Sequence, residues 1–424
     1  MKIAFILGDF PVLSETFIIN QIIGLIEHGN EVDIYGSLPE NMSKVHPDVE
    51  NFNLLSNTYY HPKIPRNYFW RFLKAVWLIL ANFGKSPLLW RSLNFIRYGK
   101  KALSLRLLYL IIPFLKNSRP YDIIHCQFGT HALDGMILRD IGAIQGKLIT
   151  SFRGYDISRY VQEQGDNVYN KLFIKGDYFL ANCEYFRQKA IKLGCNSQKI
   201  SVQGSGIECS RFPFIPRNLQ PSSKIHIVTI GRLVEKKGIE YSIRAISQIV
   251  GTYSNIEYSI IGDGYLRTEL EQLIQSLNLT DKVHLLGWKN QTEIVEILNQ
   301  AHIFIAPSVT SSNGDQDAPV NTLKEAMLMG LPVISTYHGG IPELVQDGIS
   351  GFLVPERNAD AIAERLIYLI EHPEIWVHLG IAGRKFVETH YDNNKLNNQL
   401  VQIYHNVLAN DHQFSQNSTM VMKS

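Results

Sequence analysis

Two carboxylates, Asp317 and Glu325, lie eight positions apart in the stretch Pro307–Pro342 and are of a type that binds hydroxyl groups. They flank the junction between a polar loop and a predicted helix opened by Pro319, which Gly330 ends. The start of such a helix presents unpaired backbone N–H groups and the positive end of the helix dipole, so it suits a phosphate. The carboxylates can then hold hydroxyl groups of whatever the phosphate carries. A sugar nucleotide has both parts.

Two cations, Arg232 and Lys237, lie far upstream in the loop Gly231–Gly238, between a predicted strand and a predicted helix. The loop has neither the GxxxxGK[ST] nor the GxGxxG pattern, so its positive charge comes from side chains. Each cation can donate charge-assisted hydrogen bonds worth about 1.5–3 kcal/mol to a diphosphate. Alone, such a loop is more often a solvated turn. Together with the helix start at Pro319 it predicts a two-sided phosphate clamp.

The elements that must position these residues begin with a first half in which apolar runs alternate with helical periodicity, as in a doubly wound α/β sheet. Strands are expected at Lys2–Leu7, Glu31–Tyr35, Ile123–Cys126, Lys147–Ser151, Tyr178–Ala181 and Ile200–Val202. A helix from about Glu15 to His28 follows the first strand, with Ser14 as its cap. Ligands of such sheets collect beyond the C-terminal strand ends. We therefore expect one crevice formed by Asp9–Thr16, Gln127–His131 and Phe152–Asp156, with Ser14, Glu15, Thr16, Arg153 and Asp156 as its candidate binding residues.

A chain of 424 residues is too long for one ordinary core and fits two domains. We place the first at residues 1–215, with a helical segment at 60–118, and the second at 216–385. Strands of the second are expected at Ile225–Ile230, Ile256–Ile261, Val283–Leu286 and Ile303–Ala306. A C-terminal helix at 386–410 is expected to pack back on the first domain, and 411–424 to form a flexible tail.

The segment between Glu50 and Asp122 contains no acidic residue. Its basic residues are Lys63, Arg66, Arg71, Lys74, Lys85, Arg91, Arg97, Lys100, Lys101, Arg106, Lys116 and Arg119. Its aromatic residues include Tyr68, Phe69, Trp70, Phe72, Trp77, Phe83, Trp90, Phe95, Tyr98 and Tyr109. Basic and aromatic residues interleaved on helices are typical of a face that lies on an anionic membrane. The alternative is a set of helices packed in the domain with a solvated basic rim.

The overall composition excludes several classes of protein. A formal net charge of +2 argues against a whole-protein nucleic-acid surface. The four cysteines form no CxxC pair and the histidines no HxH or HExxH spacing, so buried free thiols and no metal site are expected. No window approaches the roughly 20 apolar residues that span a bilayer. These features favour a cytoplasmic protein, peripheral on the inner face of the plasma membrane.

Several motifs occur in an order and spacing that resemble a known family. The second half of the chain resembles the C-terminal domain of family 4 retaining glycosyltransferases of the GT-B fold. The motifs that carry this resemblance are GRLVEKKG, IIGDGYLRTELE, VHLLGW, IAPS and D-x7-E, followed by EAMLMGLPVISTYHGGIPELVQDGISGFLVP. FPVLSETFI and SFRGYDIS are similar to the subset found in bacterial exopolysaccharide and colanic-acid biosynthesis. The resemblance covers nearly the whole chain outside 50–120 and the tail. It implies two Rossmann-like doubly wound domains facing a central cleft.

The resemblance also implies roles for individual residues. Arg232 and Lys237 would bind the donor diphosphate and stabilise the leaving group without a metal or other cofactor, and Asp317 would contact the donor sugar. Glu325 would hold the ribose. The backbone N–H groups of Val320, Asn321, Thr322 and Leu323 would cap the phosphate, and Gly287, Trp288 and Lys289 would lie against the base.

Two departures from the family pattern limit this transfer. The family usually has Glu where this chain has Asp317, and His where it has Arg153. Aspartate is about one methylene shorter, so its reach to the sugar differs. Arginine cannot act as a base at ordinary pH, so Arg153 would instead contribute charge, and Asp156 would orient the loop.

The resemblance implies a retaining, metal-independent hexosyltransferase that moves a sugar from a UDP- or GDP-linked donor to a saccharide or lipid-linked saccharide. The alternatives are a sugar-nucleotide epimerase or hydrolase on the same fold, and a non-catalytic sugar-nucleotide-binding subunit. An oxidoreductase is disfavoured, because neither half has GxGxxG after its first strand.

Overall fold

A computed structural model of the chain describes residues 1–12, 15–39, 42, 46–84, 86–115, 120–219 and 224–421, with side chains up to 409. Within these residues the chain forms two parallel sheets, one of seven strands and one of six. The prediction of two doubly wound α/β domains is therefore confirmed.

The first sheet has the strand order β3-β2-β1-β4-β5-β6-β7. Its strands are β1 Lys2–Asp9, β2 Glu31–Ser37, β3 Thr58–Tyr60, β4 Ile123–Gln127, β5 Lys147–Phe152, β6 Tyr178–Ala181 and β7 Ile200–Val202. Successive side chains of a strand point to opposite faces. Ala4 and Ile6 of β1 accordingly join one apolar cluster, while Ile3, Phe5 and Leu7 join another. Each face is covered by its own helices.

The second sheet has the order β10-β9-β8-β11-β12-β13. Its strands are β8 Ile225–Ile230, β9 Ile256–Ile261, β10 Val283–Gly287, β11 Ile303–Ala306, β12 Val333–Thr336 and β13 Phe352–Val354. Both faces are buried here too, with Ile225 and Ile227 in one cluster and Val228 and Ile230 in the other. In each sheet β1 or β8 lies at the point where the strand order reverses, which is where such folds bind ligands.

The helices lie on both faces of the two sheets. Those from the first half are α1 Thr16–Glu27, α2 Pro47–Asn51, α3 Tyr68–Ala81, α4 Leu88–Ser92, α5 Phe95–Tyr98, α6 Lys100–Leu103, α7 Arg106–Ile111, α8 Gly129–Ile141, α9 Arg159–Gln164, α10 Asn170–Lys175 and α11 Glu184–Lys192. Those from the second half are α12 Ile239–Ile249, α13 Arg267–Ser276, α14 Gln291–Gln300, α15 Asn321–Leu328, α16 Ala359–Glu371, α17 Trp376–His390 and α18 Asn393–Val421.

The last helix, α18, returns to the first domain. Leu400 and Tyr404 are buried in the cluster that covers one face of the first sheet. The Tyr404 hydroxyl lies 2.5 Å from His125 Nδ1 on β4. The helix continues to Val421, past the predicted boundary at 410, because no glycine or proline interrupts it. The predicted flexible tail at 411–424 thus begins inside this helix, and residues 422–424 lie outside the described residues.

The chain crosses between the domains twice, and the two crossings are hydrogen-bonded side by side. Ile207 in the first crossing pairs with Asp392 in the second as an isolated parallel bridge. The Ile207 N–H donates to the Tyr391 carbonyl (2.9 Å), and the Asn393 N–H donates to the Ile207 carbonyl (3.0 Å). The two crossings thus form a short two-stranded link between the domains.

The helical segment at 60–118 forms α3 to α7 on the first domain. Much of it is exposed: in α3 only Ala75 and Leu78 are buried, while Trp70 and Trp77 are 62% and 63% exposed. Tyr109 of α7 is buried, so it does not belong to the exposed aromatic face. Lys85, Lys116 and Arg119 lie outside the described residues. No helix among the described residues is long and apolar enough to cross a bilayer.

Candidate functional site

The loop that carries Arg232 is held in place by the turn Gly262-Asp263-Gly264. The Gly231 N–H donates to the Ile261 carbonyl (2.9 Å), and the Leu233 N–H donates to the Asp263 carbonyl (3.0 Å). Gly262 has φ +135°, and a Cβ there would lie 2.0 Å from the Gly231 carbonyl oxygen, so only glycine fits. Arg232 is exposed, and its side chain has no hydrogen bond or ion pair with a described residue. Its guanidinium is available to a ligand.

The structure brings Lys237 against Asp317. Its Nζ lies 2.7 Å from Asp317 Oδ2, and the neighbouring Lys236 Nζ lies 3.3 Å from Asp317 Oδ1 and 3.1 Å from Asp315. The Ser308 hydroxyl donates to Asp317 Oδ2 (3.1 Å). The carboxylate predicted to contact the sugar is therefore buried and ion-paired with the lysine predicted to contact the diphosphate.

The charges of this cluster depend on one another. Burial alone would raise the pKa of Asp317, but Lys237 and Lys236 outweigh it and hold that pKa well below its usual range. Burial lowers the pKa of Lys237, although Asp317 opposes this. Burial also opposes ionisation of Lys236, yet Asp317 and Asp315 more than offset it and raise the pKa of that lysine. The cluster is thus a mutually stabilised set of buried ions.

The backbone of Asp317 is fixed by His338 in the YHGGIP segment. The Asp317 N–H donates to His338 Nε2 (2.9 Å), so His338 Nδ1 carries the proton that faces Glu356 (2.6 Å). Gly339, with φ +51°, lets this turn approach closely, since a Cβ there would lie 2.1 Å from the Asp317 carbonyl oxygen. The sequence analysis assigned no role to His338 or Glu356.

Helix α15 begins two residues later than Pro319 suggested. Val320 is its N-cap, with an extended backbone, and Asn321 is its first residue. The Leu323 N–H donates to the Val320 carbonyl (3.2 Å), so this predicted phosphate ligand is already used within the helix. The Thr322 hydroxyl donates to the Ile230 carbonyl (3.0 Å) and so ties the helix start to the end of β8.

Glu325 lies in the first turns of α15, partly buried. Burial raises its pKa to about 7, and the neighbouring Lys324 opposes this. Its carboxylate has no hydrogen bond or ion pair with the described residues, which suits a group that binds the hydroxyls of a ligand.

The predicted base contact, Gly287-Trp288-Lys289, follows β10. The Gly262 N–H donates to the Gly287 carbonyl (2.9 Å), so this turn adjoins the turn that holds the Arg232 loop. Trp288 is half-exposed. Lys289 pairs with Glu293 (3.0 Å) at the start of α14, so its charge is matched within the protein.

The first domain contributes Arg153 and Asp156 to the facing side. Asp156 is fully buried and accepts hydrogen bonds from the N–H groups of Gly129 (2.7 Å), Arg153 (2.9 Å) and Gly154 (2.9 Å). It therefore orients this loop and does not face the cleft. Its pKa is raised by burial even though these N–H groups lower it.

Three further predicted cleft residues lie at the start of α1. Ser14 lies outside the described residues, and the structure gives Glu15 as the residue before the helix, with no side-chain capping bond. Thr16 is the first helical residue. Burial raises the pKa of Glu15 to about 7, against the lowering effect of Arg153.

The two domains touch across the cleft near these residues. The Tyr185 hydroxyl donates to Gln316 Oε1 (3.0 Å), and a Cβ on Gly154 would lie 3.2 Å from the Gln316 carbonyl oxygen. The Glu343 carboxylate accepts hydrogen bonds from the N–H groups of Glu184 (2.7 Å) and Tyr185 (2.8 Å) at the start of α11. The loop that precedes Asp317 is thus closed against the loop that carries Arg153.

Sequence reasoning missed several residues of this site, namely Lys236, Asp315, Glu343 and Lys324. Lys324 carried a usable signal, because a lysine between Leu323 and Ala326 interrupts the apolar side of α15.

Among the described residues there is no cluster of three or more side chains that could hold a metal ion. The cations and the helix start together can stabilise negative charge that develops on a phosphate.

A search against protein families and known sequences places the chain among sugar-transferring enzymes. The family model for glycosyl transferases group 1 matches residues 211–386. The amylovoran biosynthesis glycosyltransferase AmsK of Erwinia amylovora is 34% identical over 411 residues, which cover 95% of this chain and 99% of that protein. WcaL of Salmonella typhimurium, assigned to colanic acid biosynthesis as a glycosyltransferase, is 32% identical and covers the same shares.

Solved structures agree on the architecture. HepE of Anabaena in complex with UDP superposes with a TM-score of 0.69 at 17% identity, covering 96% of this chain and all of that one. A sucrose-phosphate synthase of Thermosynechococcus elongatus superposes with a TM-score of 0.66 at 17% identity, covering 96% of this chain and 99% of that one. These likenesses show the GT-B fold.

Proposed function

The chain belongs to the group 1 glycosyl transferases, and from this premise we propose that it moves a sugar from a nucleoside diphosphate donor to a saccharide or lipid-linked saccharide in exopolysaccharide biosynthesis. The substrate class follows from the site, and the pathway follows from relatives that act in amylovoran and colanic acid biosynthesis. The observation that carries the proposal is that Lys237 contacts Asp317 in the loop that precedes α15, while two groups suited to a nucleotide sugar, Arg232 and Glu325, are left for a ligand. Arg232 and Glu325 have no partner there among the described residues.

The donor diphosphate would bind between the Arg232 loop and the start of α15. Arg232 is the cation that is free to meet it, and Lys237 would share its charge between Asp317 and the phosphate. Glu325 would accept hydrogen bonds from the ribose hydroxyls. UDP in the structural relative HepE supports a nucleotide in this fold, and the base is proposed as uridine or guanosine.

The reaction we propose is a metal-independent transfer with retention at the anomeric carbon. The bond between the anomeric carbon and the diphosphate oxygen breaks, and the acceptor hydroxyl oxygen forms the new bond on the same face of the sugar. The proton of that hydroxyl passes to the departing diphosphate. Arg232, Lys237 and the helix dipole stabilise the charge that develops on the leaving group. Closure of the cleft excludes water and limits hydrolysis of the donor.

Product analysis with and without an acceptor tests this function. We expect UDP- or GDP-sugars to raise the melting temperature of the protein, since binding to the native state stabilises it. We expect release of UDP or GDP only when a lipid-linked saccharide is added, with the sugar joined to it in the configuration of the donor. Conversion of the donor without acceptor would identify an epimerase or hydrolase. Binding without any turnover would identify a non-catalytic subunit.

We further propose that helices α3 to α7 lie on an anionic membrane at the cytoplasmic face. Exposed aromatic and aliphatic side chains cover this surface, among them Trp70, Trp77, Trp90 and Ile96, and the last is 88% exposed. Exposed Lys63, Arg66, Arg91, Arg97 and Lys100 lie among them. Exposed apolar surface of this extent marks an interaction site, and the absence of acidic residues between 50 and 122 suits an anionic lipid. A membrane location would bring the enzyme to a lipid-linked acceptor.

Sedimentation with liposomes tests the membrane surface. We expect vesicles that contain anionic lipid to retain the protein at low salt and to release it as ionic strength rises, because each basic residue near the surface contributes about 1 kcal/mol. The double variant Trp70→Ser/Trp77→Ser should sediment less, while Trp288→Ser, a half-exposed tryptophan of the second domain, should sediment like the wild type. Wild-type protein that stays in the supernatant would disprove this part of the proposal.

A further inference from the structure

An open groove of about 450 Å³ lies between the two domains, beside the loop that leads to Asp317. The first domain lines it with α11, α9 and the residues that flank α9, and the second domain lines it with Thr310, Gly314 and Gln316. Ligand sites in proteins commonly have volumes of about 300–1,000 Å³ and lie at domain interfaces. The groove is therefore large enough for a sugar unit, and a ligand in it would contact both domains.

The groove and the proposed donor site lie on opposite sides of this loop. Lys236 Nζ, on the donor side, lies 3.1 Å from Asp315 Oδ2 and 3.3 Å from Asp317 Oδ1. Gln316, between these two aspartates, turns to the groove, where its Oε1 accepts a hydrogen bond from Lys189 Nζ of α11. A molecule in the groove would thus lie next to the donor sugar that Asp317 is proposed to contact, which is the position an acceptor needs.

Two lysines of α11, Lys189 and Lys192, line the groove. They are three positions apart, so they lie on the same face of the helix. Among the described residues, neither has a carboxylate oxygen within 4.0 Å. Lys189 is partly buried, and its Nζ lies 5.2 Å from the centre of the Tyr185 ring. Burial lowers the pKa of Lys189, the Cys183 thiol opposes this effect, and Lys192 adds to it.

The charge of the groove is positive on balance. Asp166, the one acidic side chain among the described residues that line it, is exposed and forms no ion pair with either lysine. No carboxylate of the described residues contributes to the pKa shift of Lys189. By contrast, Asp317 acts on both Lys236 and Lys237. The groove therefore favours a ligand with a negative charge.

The uncharged lining of the groove suits a saccharide. The side-chain amide of Gln162 on α9 forms no hydrogen bond with the described residues, so its donor and its acceptor are available to hydroxyl groups. Gly314 has φ +76°, and a Cβ there would lie 1.7 Å from Gln162 Oε1, so a glycine is what lets Gln162 reach across to the second domain. Ile157, Val161 and Leu193 add apolar surface for the C–H groups of a sugar ring.

The groove is distant from the surface that we propose to lie on the membrane. Helix α11 packs on β6 and β7 at one end of the first sheet, whereas α7 lines a cavity with β1, β2 and β3 at the other end. Neighbouring strands are about 4.8 Å apart, so the distance between β2 and β6 is roughly 19 Å. An anionic group at α11 is therefore expected on the saccharide itself and not at the phosphate that joins it to a lipid.

We propose that this groove binds the acceptor saccharide and that Lys189 and Lys192 bind the carboxylate of an acidic sugar within it, such as a uronate. The inference rests on the proposed function and specifies its acceptor. A carboxylate accepts charge-assisted hydrogen bonds from both ammonium groups, and the Gln162 amide binds the neighbouring hydroxyls. Because both domains line the groove, binding of the acceptor also favours the closed cleft.

Binding of matched acidic and neutral disaccharides to the full-length protein tests this inference. The probes are digalacturonate and cellobiouronate, each with its neutral methyl ester, and affinities are measured by calorimetry in the presence of UDP and, separately, of GDP. The variants are Lys189→Met and Lys192→Met, singly and together. Lys171→Met, at an exposed position on α10 of the same domain, is the control.

We expect the wild type and the control to bind the acids more tightly than their esters. Lys192→Met should weaken binding of the acids about two- to fivefold, because this lysine is exposed. Lys189→Met should weaken it about tenfold, because this lysine is partly buried. The double variant should bind each acid no better than its ester, and binding of the esters should not change.

Several results would overturn the inference and leave the proposed function intact. These are a wild type that binds neither acid, or binds acid and ester equally, and variants that keep the wild-type affinity for the acids. A lower melting temperature of Lys189→Met with unchanged affinity would show that this lysine only holds Gln316 across the domain interface. A wild type that binds no UDP- or GDP-sugar would instead remove the proposed function, and with it the assignment of the bound acid as an acceptor.

Discussion

Replacing Arg232 with alanine, or Lys237 with methionine, is expected to lower the rate of sugar transfer about 100- to 1000-fold, the usual cost of removing one group that stabilises transition-state charge. The two variants differ in a second respect. Arg232 is exposed and has no partner among the described residues, so its loss should leave stability unchanged. Lys237 is bound to Asp317 at 2.7 Å, so its loss should also lower the melting temperature. The measurement is kcat at saturating donor, with thermal unfolding alongside.

The control for this experiment is Arg244→Ala, an exposed arginine on α12 of the same domain that lies outside the proposed site. It should transfer sugar at the wild-type rate. If Arg232→Ala and Lys237→Met also kept full activity, the leaving group would have to be stabilised elsewhere, and the assignment of the diphosphate site would be wrong.

Asp317→Asn is expected to destabilise the protein by about 3–5 kcal/mol at pH 7, because it removes the anion from a buried pair and leaves buried lysines without it. The expected pH dependence follows from the depressed pKa of Asp317. An unfolded aspartate titrates near 3.9, so the contribution of Asp317 is fully present above about pH 4 to 5 and is lost as pH falls through the lower pKa of the folded state. The difference between variant and wild type should shrink correspondingly in acid.

Urea unfolding at pH 7 and in acid measures this difference. Asp281→Asn, at an exposed position before β10, is the control and should change the free energy of unfolding by no more than about 0.5 kcal/mol. A variant Asp317→Asn that is as stable as the wild type at pH 7 would contradict the view that this carboxylate holds the two lysines. In that case its role would lie with the substrate alone.

The central strands of both sheets could be predicted from the sequence because they are buried on both faces and form continuous apolar runs. Tyr178–Ala181, Ile225–Ile230 and Ile256–Ile261 have the predicted bounds. The strands that were missed, β3 and β13, are three residues long and lie at the edges of their sheets. Strand β7 is equally short and also lies at an edge, yet Ile200–Val202 was predicted, so shortness and edge position alone do not explain the two misses.

Several residues of the candidate site could be predicted from the sequence, but most of the contacts between them could not. Spacing placed Asp317 and Glu325 at one helix, and the structure adds that Asp317 is paired with a lysine 80 positions away. No periodicity reports a contact between residues so far apart in the chain. The start of α15 shows the same limit, because Pro319 indicated a helix boundary but not that Val320 would be the extended residue that caps it.

The two chain crossings, joined at Ile207, are where a hinge between the two domains would lie. Hydrogen bonds at Ile207 hold the two crossings side by side, so a rotation of one domain relative to the other would be centred near this link. Displacement grows with distance from a pivot. A ligand bound close to the link would therefore act mainly on the angle between the domains, while parts of the cleft farther from the link would move more and would control entry and release of substrate.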